Sequence, residues 1–385
     1  MPNLKTNKKD ECIMKRKLAG LVVVVAMALV LAACGSSSDD GSDAEETVAV
    51  SKVNGRMLGP LGEESVDASK VSLSSAEEKK LKEGNHTAAL VWHEDADLTR
   101  ALTRGIEHRF GEMGIEIVGV TDAEFDPAKQ QRDLDGVLAR NPDAIISIPV
   151  DPTTAAEAYR PALQRGTKLV FLSNVPEGYV HGKDYVGVVS SDQIATGENT
   201  AKILGEALGG EGKIGYINFD AEFFITNQRD NAFKQALKAN YPGIDIAATA
   251  GFQDPEKVEE IAAGMVTRNP DLDGIYTTWA QPAEGVLAAL REAGRESEVK
   301  IATVDLSEPI ALNIAEGGAV AGVSADPVFA VGEKLAEEAG LGILGKPAPA
   351  FAVLSSIAVT KSNLLEGWET SFGVPAPAGV QGAVE

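Results

Sequence analysis

The chain has 385 residues, enough for two domains of ordinary size, and is 44% hydrophobic, so it can bury a sizeable core. A formal charge of −22 argues against a nucleic-acid partner, because phosphate binding needs clustered Lys and Arg. Cys12 and Cys34 are the only cysteines.

In chain order, the first element is a targeting segment. Lys15, Arg16 and Lys17 make a basic run, and Leu18 to Leu31 an apolar run of 14 residues. That is short for a membrane span, which needs about 20. Leu31-Ala32-Ala33-Cys34 then fits a bacterial lipobox, in which the cysteine thiol takes a diacylglycerol. The reading is a signal peptide over 1–33, lipidated Cys34, and a tether over 34–84 holding a folded body at the cell envelope, outside the cytoplasm. Counting from Met14 gives a signal of ordinary length. With Cys12 removed and Cys34 lipidated, no disulfide is left and the body must hold by packing.

"SAEEKKLKEG" (75–84) predicts a short helix. From His86 onward, strands alternate with helices. "HTAALVW" is a strand, Leu98 to Met113 an amphipathic helix and "IEIVGV" a strand. "DPAKQQRDLDGVLARN" follows as a helix with Asp126 as N-cap and Pro127 at its first position. "DAIISIPV", "TKLVFLS", "KIGYINF", "IDIAATA", "DGIYTTW" and "VKIATVD" continue the strands. This rhythm implies parallel sheets covered by helices, an α/β fold.

Eight positions recur at an offset of 128. Asp126, Pro127, Lys129, Gly136 and Arg140-Asn141-Pro142-Asp143 return as Asp254, Pro255, Lys257, Gly264 and Arg268-Asn269-Pro270-Asp271. A duplication follows, and with it two similar lobes. Ligands of open α/β sheets bind beyond the carboxyl ends of the strands, so two facing lobes would enclose a cleft there. The repeat sets Asp151 and the Trp279-Ala280-Gln281 stretch at comparable places on its two walls.

"DPAKQ", "NPDAIISIPVD", "GGEGKIGYI", "NQRDNAFKQALKANYPGIDI", "NPDLDGIY", "PAEGVLAALREAG" and "TKSNL" together resemble the type I periplasmic solute-binding proteins of sugar ABC transporters, in the ribose-binding branch. The resemblance covers about 86–368. It implies two parallel-sheet lobes joined by a three-crossing hinge: 86–192 with 326–352, and 193–325 with 353–372, followed by a tail over 373–385. It implies a protein that closes on a small sugar or polyol and delivers it to a permease. A monomeric binder without cofactor or catalysis is expected, and the His93-Glu94-Asp95 run has no second His cluster to make a metal site.

The resemblance also assigns ligand-binding roles. Arg229 in "TNQRDNAF" matches the branch's clamping arginine, whose planar guanidinium can bridge two hydroxyls. Asp151 and Asp305 match acceptors of sugar hydroxyls, though each also reads as a helix N-cap. Asn174 holds a cleft-facing strand end where ribose binders carry a different pair. His93 and Asp95 follow the first strand, where the branch's contacts begin. Trp279 can stack on the apolar face of a sugar or pack in the core. Ala325 stands where the branch has a hinge glutamine, so simple ribose specificity does not carry over. The carboxylates Glu94, Asp95, Asp151 and Asp305 keep an amino-bearing or cationic solute open. A nucleoside, or a sensing role for a membrane receptor, also remains open. No Gly-x-Ser-x-Gly or His-Glu-x-x-His pattern supports a hydrolase.

Overall fold

The computed structural model describes residues 57–385 apart from Glu222. The expected signal segment, Cys34 and the first part of the tether lie outside the described residues. The strands are β1 (Val66–Asp67), β2 (Thr87–Trp92), β3 (Glu116–Asp122), β4 (Ala144–Ser147), β5 (Lys168–Leu172), β6 (Gly187–Ser191), β7 (Glu211–Phe219), β8 (Gly243–Phe252), β9 (Gly274–Thr277), β10 (Lys300–Val304), β11 (Val320–Ala325), β12 (Phe351–Leu354) and β13 (Ile357–Val359). The strands β4, β5, β6, β9 and β10 are buried on both faces except at the leading lysines of β5 and β10, Lys168 and Lys300, as parallel strands sandwiched by helices must be.

Two sheets result. One has the order β1-β12-β6-β5-β4-β2-β3, the other β13-β11-β10-β9-β7-β8. The runs β3-β2-β4-β5-β6 and β8-β7-β9-β10-β11 follow the same order, which is the internal repeat in three dimensions. Asp126 caps the helix Pro127–Leu138 by accepting from the Ala128 amide at 2.8 Å, and Asp254 accepts from the Glu256 amide at 3.0 Å in the second copy. Asp143 holds the start of β2 through the Thr87 amide at 2.9 Å. Its counterpart at the start of β7 is Asp273, on the Lys213 amide at 2.8 Å, so a two-residue insertion separates the copies between helix and strand.

Among the described residues the chain changes sheet three times: between β6 and the helix Gln193–Ala207, between β11 and the helix Val328–Ile343, and between β12 and β13. The third crossing falls after Leu354 rather than at 353, because Val353 and Leu354 still pair with Ser190 and Ser191. β13 runs antiparallel to β11, the one departure from parallel pairing in the two sheets. It follows from the direct return between sheets with no helix to reverse the chain.

Residues 57–84, read from the sequence as part of a tether, are instead folded onto the first lobe. β1 extends its sheet on β12, and Met57, Val71 and Leu81 are buried. The helix Ser75–Lys82 is tied down by Arg109, which reaches Glu78 at 2.5 Å, Glu112 at 2.7 Å and Glu337 at 2.9 Å. Residues 373–385 are likewise more than a tail: Ala378–Val384 is helical and buries Val380. Among the described residues no helix is long and apolar enough to cross a membrane.

Candidate ligand-binding cleft

A cleft of about 810 Å³ opens between the two sheets, a volume suited to a small molecule. Its polar centre is built by three elements of the second lobe. Arg229, in the helix Phe224–Asn240, is 4% exposed, and its Nε donates to Thr278 Oγ1 at 3.3 Å. Asp305 directly follows β10 with a left-handed backbone (φ 63°), held by its amide on the Ser324 carbonyl at 2.9 Å. Asp326 directly follows β11, where the chain leaves the second lobe. It accepts from Gln193 Nε2 at 3.4 Å and Thr196 Oγ1 at 3.3 Å. Both carboxylates are buried and Asp305 Oδ1 has no partner.

The Arg229 charge acts on both of these buried acids, and on buried Asp230 beside it. Burial first, then the neighbouring Asp326 charge, pushes the Asp305 carboxyl up to about 7, against the pull of Arg229. Burial raises Asp326 as well, with Arg229 opposing. An unfolded aspartate titrates near about 3.9, so between about pH 4 and 7 the folded chain holds the extra proton. The sign is then fixed: the ligand-free protein should lose stability as pH rises through that window. Denaturant unfolding between about pH 4.5 and 8 should show this slope, and Asp305→Asn should make it shallower, with the raised Asp326 and Glu338 keeping the remainder.

An aromatic cluster borders this centre. His93, just after β2, meets the Phe125 ring edge-on at 5.0 Å. Phe125 stacks on Trp279 of the second lobe at 6.2 Å, and Trp279 packs on Phe219 at 5.5 Å and Phe252 at 5.2 Å. His93 Nδ1 and Trp279 Nε1 are buried without partners. Gln130 of the "DPAKQ" stretch braces the neighbouring loop, donating to the Ile148 carbonyl at 2.9 Å and accepting from the Val150 amide at 3.0 Å.

Of the residues expected at the site, His93, Asp95, Arg229, Trp279 and Asp305 line the cleft. Asp95 is exposed and bound to Arg100 at 2.7 Å. Asp151 is not in the lining. It caps the helix Pro152–Arg165, accepting from the Thr154 amide at 2.7 Å and hydroxyl at 2.9 Å. Asn174 is buried beneath the wall, donating to the Pro149 carbonyl at 3.3 Å, while Ser173 beside it takes the lining position. Phe125, Glu284 and Asp326 line the cleft without having been singled out. For Asp326 a signal existed, since Asp-Pro directly after a strand puts a carboxylate at its carboxyl end. Among the described residues no three His, Cys, Asp or Glu side chains are grouped to hold a metal ion.

Arg229 depends on a close helix crossing. A Cβ on Gly197, in the helix Gln193–Ala207, would stand 2.3 Å from the Arg229 carbonyl oxygen and 2.6 Å from the Phe233 amide nitrogen. Both are backbone atoms, so the helices would have to part. Gly197→Ala should cost about 1–3 kcal/mol of stability and also weaken ligand binding. Unfolding and calorimetric titration of the same variant check both parts.

Residues 89–341 match the family described as periplasmic binding protein domain. The xylitol-binding protein of Mycolicibacterium smegmatis is 28% identical over 212 residues, which cover 54% of this chain and 58% of that one, less than two thirds of its length. The D-allose-binding periplasmic protein of Escherichia coli is 26% identical over 271 residues, covering 68% of this chain and 87% of that one. An ABC transporter solute-binding protein from Agrobacterium vitis, solved with α-D-tagatopyranose, superposes with a TM-score of 0.69 at 24% identity. It covers 76% of this chain and 100% of that one, and shares the fold. With two matching lobes, a cleft at the strands' carboxyl ends and a family match across most of both lobes, the chain belongs to the periplasmic binding protein domain family.

Proposed function

We propose that the protein is the extracytoplasmic solute receptor of an ABC importer, holding a sugar or polyol between its lobes and handing it unchanged to the permease. The observation that carries this reading is the buried set of Arg229, Asp305 and Asp326 facing a small-molecule cleft. A guanidinium donates in a planar fork and carboxylates only accept, which together suit neighbouring hydroxyls. Aromatic faces beside them suit the apolar side of a sugar ring. The names of the relatives in xylitol and allose binding support the same class. Closure would follow from tighter binding to the closed state, with the three crossings as the hinge.

A thermal-shift screen across pentoses, hexoses, polyols and cyclitols tests the reading. A ligand at a hundredfold excess over Kd stabilises by about 2.7 kcal/mol, which is readily seen. Recovery of the bound compound unchanged separates a receptor from a hydrolase. A screen without any stabilising member would reject the class.

Attachment through Cys34 completes the proposal. Cys34→Ala should abolish incorporation of a labelled fatty acid in cells while leaving the body folded. Label kept on the variant would reject the anchor.

A further inference from the structure

The charges of the cleft do not balance. Among the described residues its lining carries ten carboxylates and two guanidinium groups. Arg100 is already engaged, by Asp95 at 2.7 Å and Asp97 at 3.0 Å. That leaves Arg229 as the lining cation whose charge acts on Asp305 and Asp326, and it acts on buried Asp230 as well. From the first lobe Glu94 adds a third carboxylate. It lines the same cleft as Asp305, whose charge it opposes, and its Oε1 has His93 Nε2 at 3.4 Å. Outside the centre, Asp97 of the first lobe opposes the half-buried Glu284 of the second.

Two further facts point to a ligand rather than to an acidic surface. Asp305 is 7% exposed with Oδ1 unpartnered, and His93 is 5% exposed with Nδ1 unpartnered. Buried charges are normally paired or hydrogen-bonded, and in the free protein a proton on Asp305 is the available compensation. A neutral polyol offers hydroxyl donors but no positive charge. An ammonium supplies three donors and the missing charge together.

On the sugar-or-polyol reading, we infer that the preferred solute carries an amino group, as an amino sugar or amino polyol does, with its ammonium between Asp305 and Glu94 and its hydroxyls toward Arg229. Binding then displaces the proton: the carboxyl of Asp305 gives up H⁺ to solvent as the ammonium takes its place. Asp326, Arg229 and Glu94 are the charged groups that set this exchange.

Matched pairs test it by calorimetric titration of the whole protein: D-glucosamine against D-glucose, D-galactosamine against D-galactose, and 1-amino-1-deoxy-D-sorbitol against D-sorbitol. Each is titrated near pH 7 in two buffers of different ionisation heat. The expected result is that in a binding pair the amine is tighter by about tenfold or more, the order of one charge-assisted bond, and releases protons to the buffer. Asp305→Asn should remove that advantage, and the comparison on the unaltered protein stands even if the variant folds poorly. Neutral members binding as tightly as the amines, or tighter, overturn the inference and leave the sugar-or-polyol reading intact. If neither member of any pair binds and the wider screen of sugars and polyols is also blank, that reading falls and takes the inference with it.

Discussion

Arg229→Ala should weaken solute binding by about 10- to 150-fold, the range set by about 1.5–3 kcal/mol for hydrogen bonds to a charged group. The residue is buried, not a solvated side chain of an open cleft, so its loss reaches further than the ligand. Asp305 and Asp326 would keep their burial and lose the one cation that lowers both. Removing one partner of a buried charge set costs about 3–5 kcal/mol when the others stay ionised. Protonation relieves that cost, so the variant should be most destabilised above about pH 7 and recover toward about pH 5. Arg229→Lys should restore part of the stability and less of the affinity, since a point charge cannot span two acceptors. Calorimetric titration together with unfolding at two pH values separates these contributions. An alanine variant that is folded and binds as tightly as the parent would remove Arg229 from the site.

Glu338→Met should stabilise the protein. Glu338 lies in the helix Val328–Ile343, is 0% exposed, and has neither carboxyl oxygen partnered. It is accommodated because Gly187 of β6 has no side chain: a Cβ there would stand 2.6 Å from Oε2. Burial pushes the Glu338 carboxyl well above the ordinary range, so the folded chain binds that proton more tightly than the unfolded chain does. The unfolded chain ionises it above about pH 4.3, which draws the equilibrium toward unfolding as pH rises. Methionine fills similar space without a polar atom and should add about 1–3 kcal/mol, the cost of one buried unpaired polar group. The gain should grow from acid to alkaline pH. Equal midpoints for variant and parent in denaturant at pH 8 would show that Glu338 is satisfied after all.

The alternation of strands and helices was legible because parallel strands read as unbroken apolar runs and their helices as amphipathic ones. The repeat was legible because Asp126-Pro127 and Asp254-Pro255 serve the same capping role in both lobes. The place of 57–84 was not, since β1 finds its partner in Ala352 and Val353, nearly three hundred residues further on. Within the site, the resemblance pointed to Arg229 at a helix start and Asp305 at a strand end, and both line the cleft. Asp151 shows the limit: a residue at the same kind of strand-to-helix junction turned its carboxylate onto the Thr154 amide instead of into the cleft. Phe125 shows the other limit. It sits in a loop with a left-handed backbone (φ 55°), where no periodicity announces which way a ring points.

The most direct test is the crystal structure of the protein with the solute found by screening. One molecule is expected between the lobes, with hydroxyls on the Arg229 guanidinium and a donor on the free Oδ1 of Asp305. A solute bound elsewhere, or held in the cleft with Arg229 and Asp305 both untouched, would contradict it.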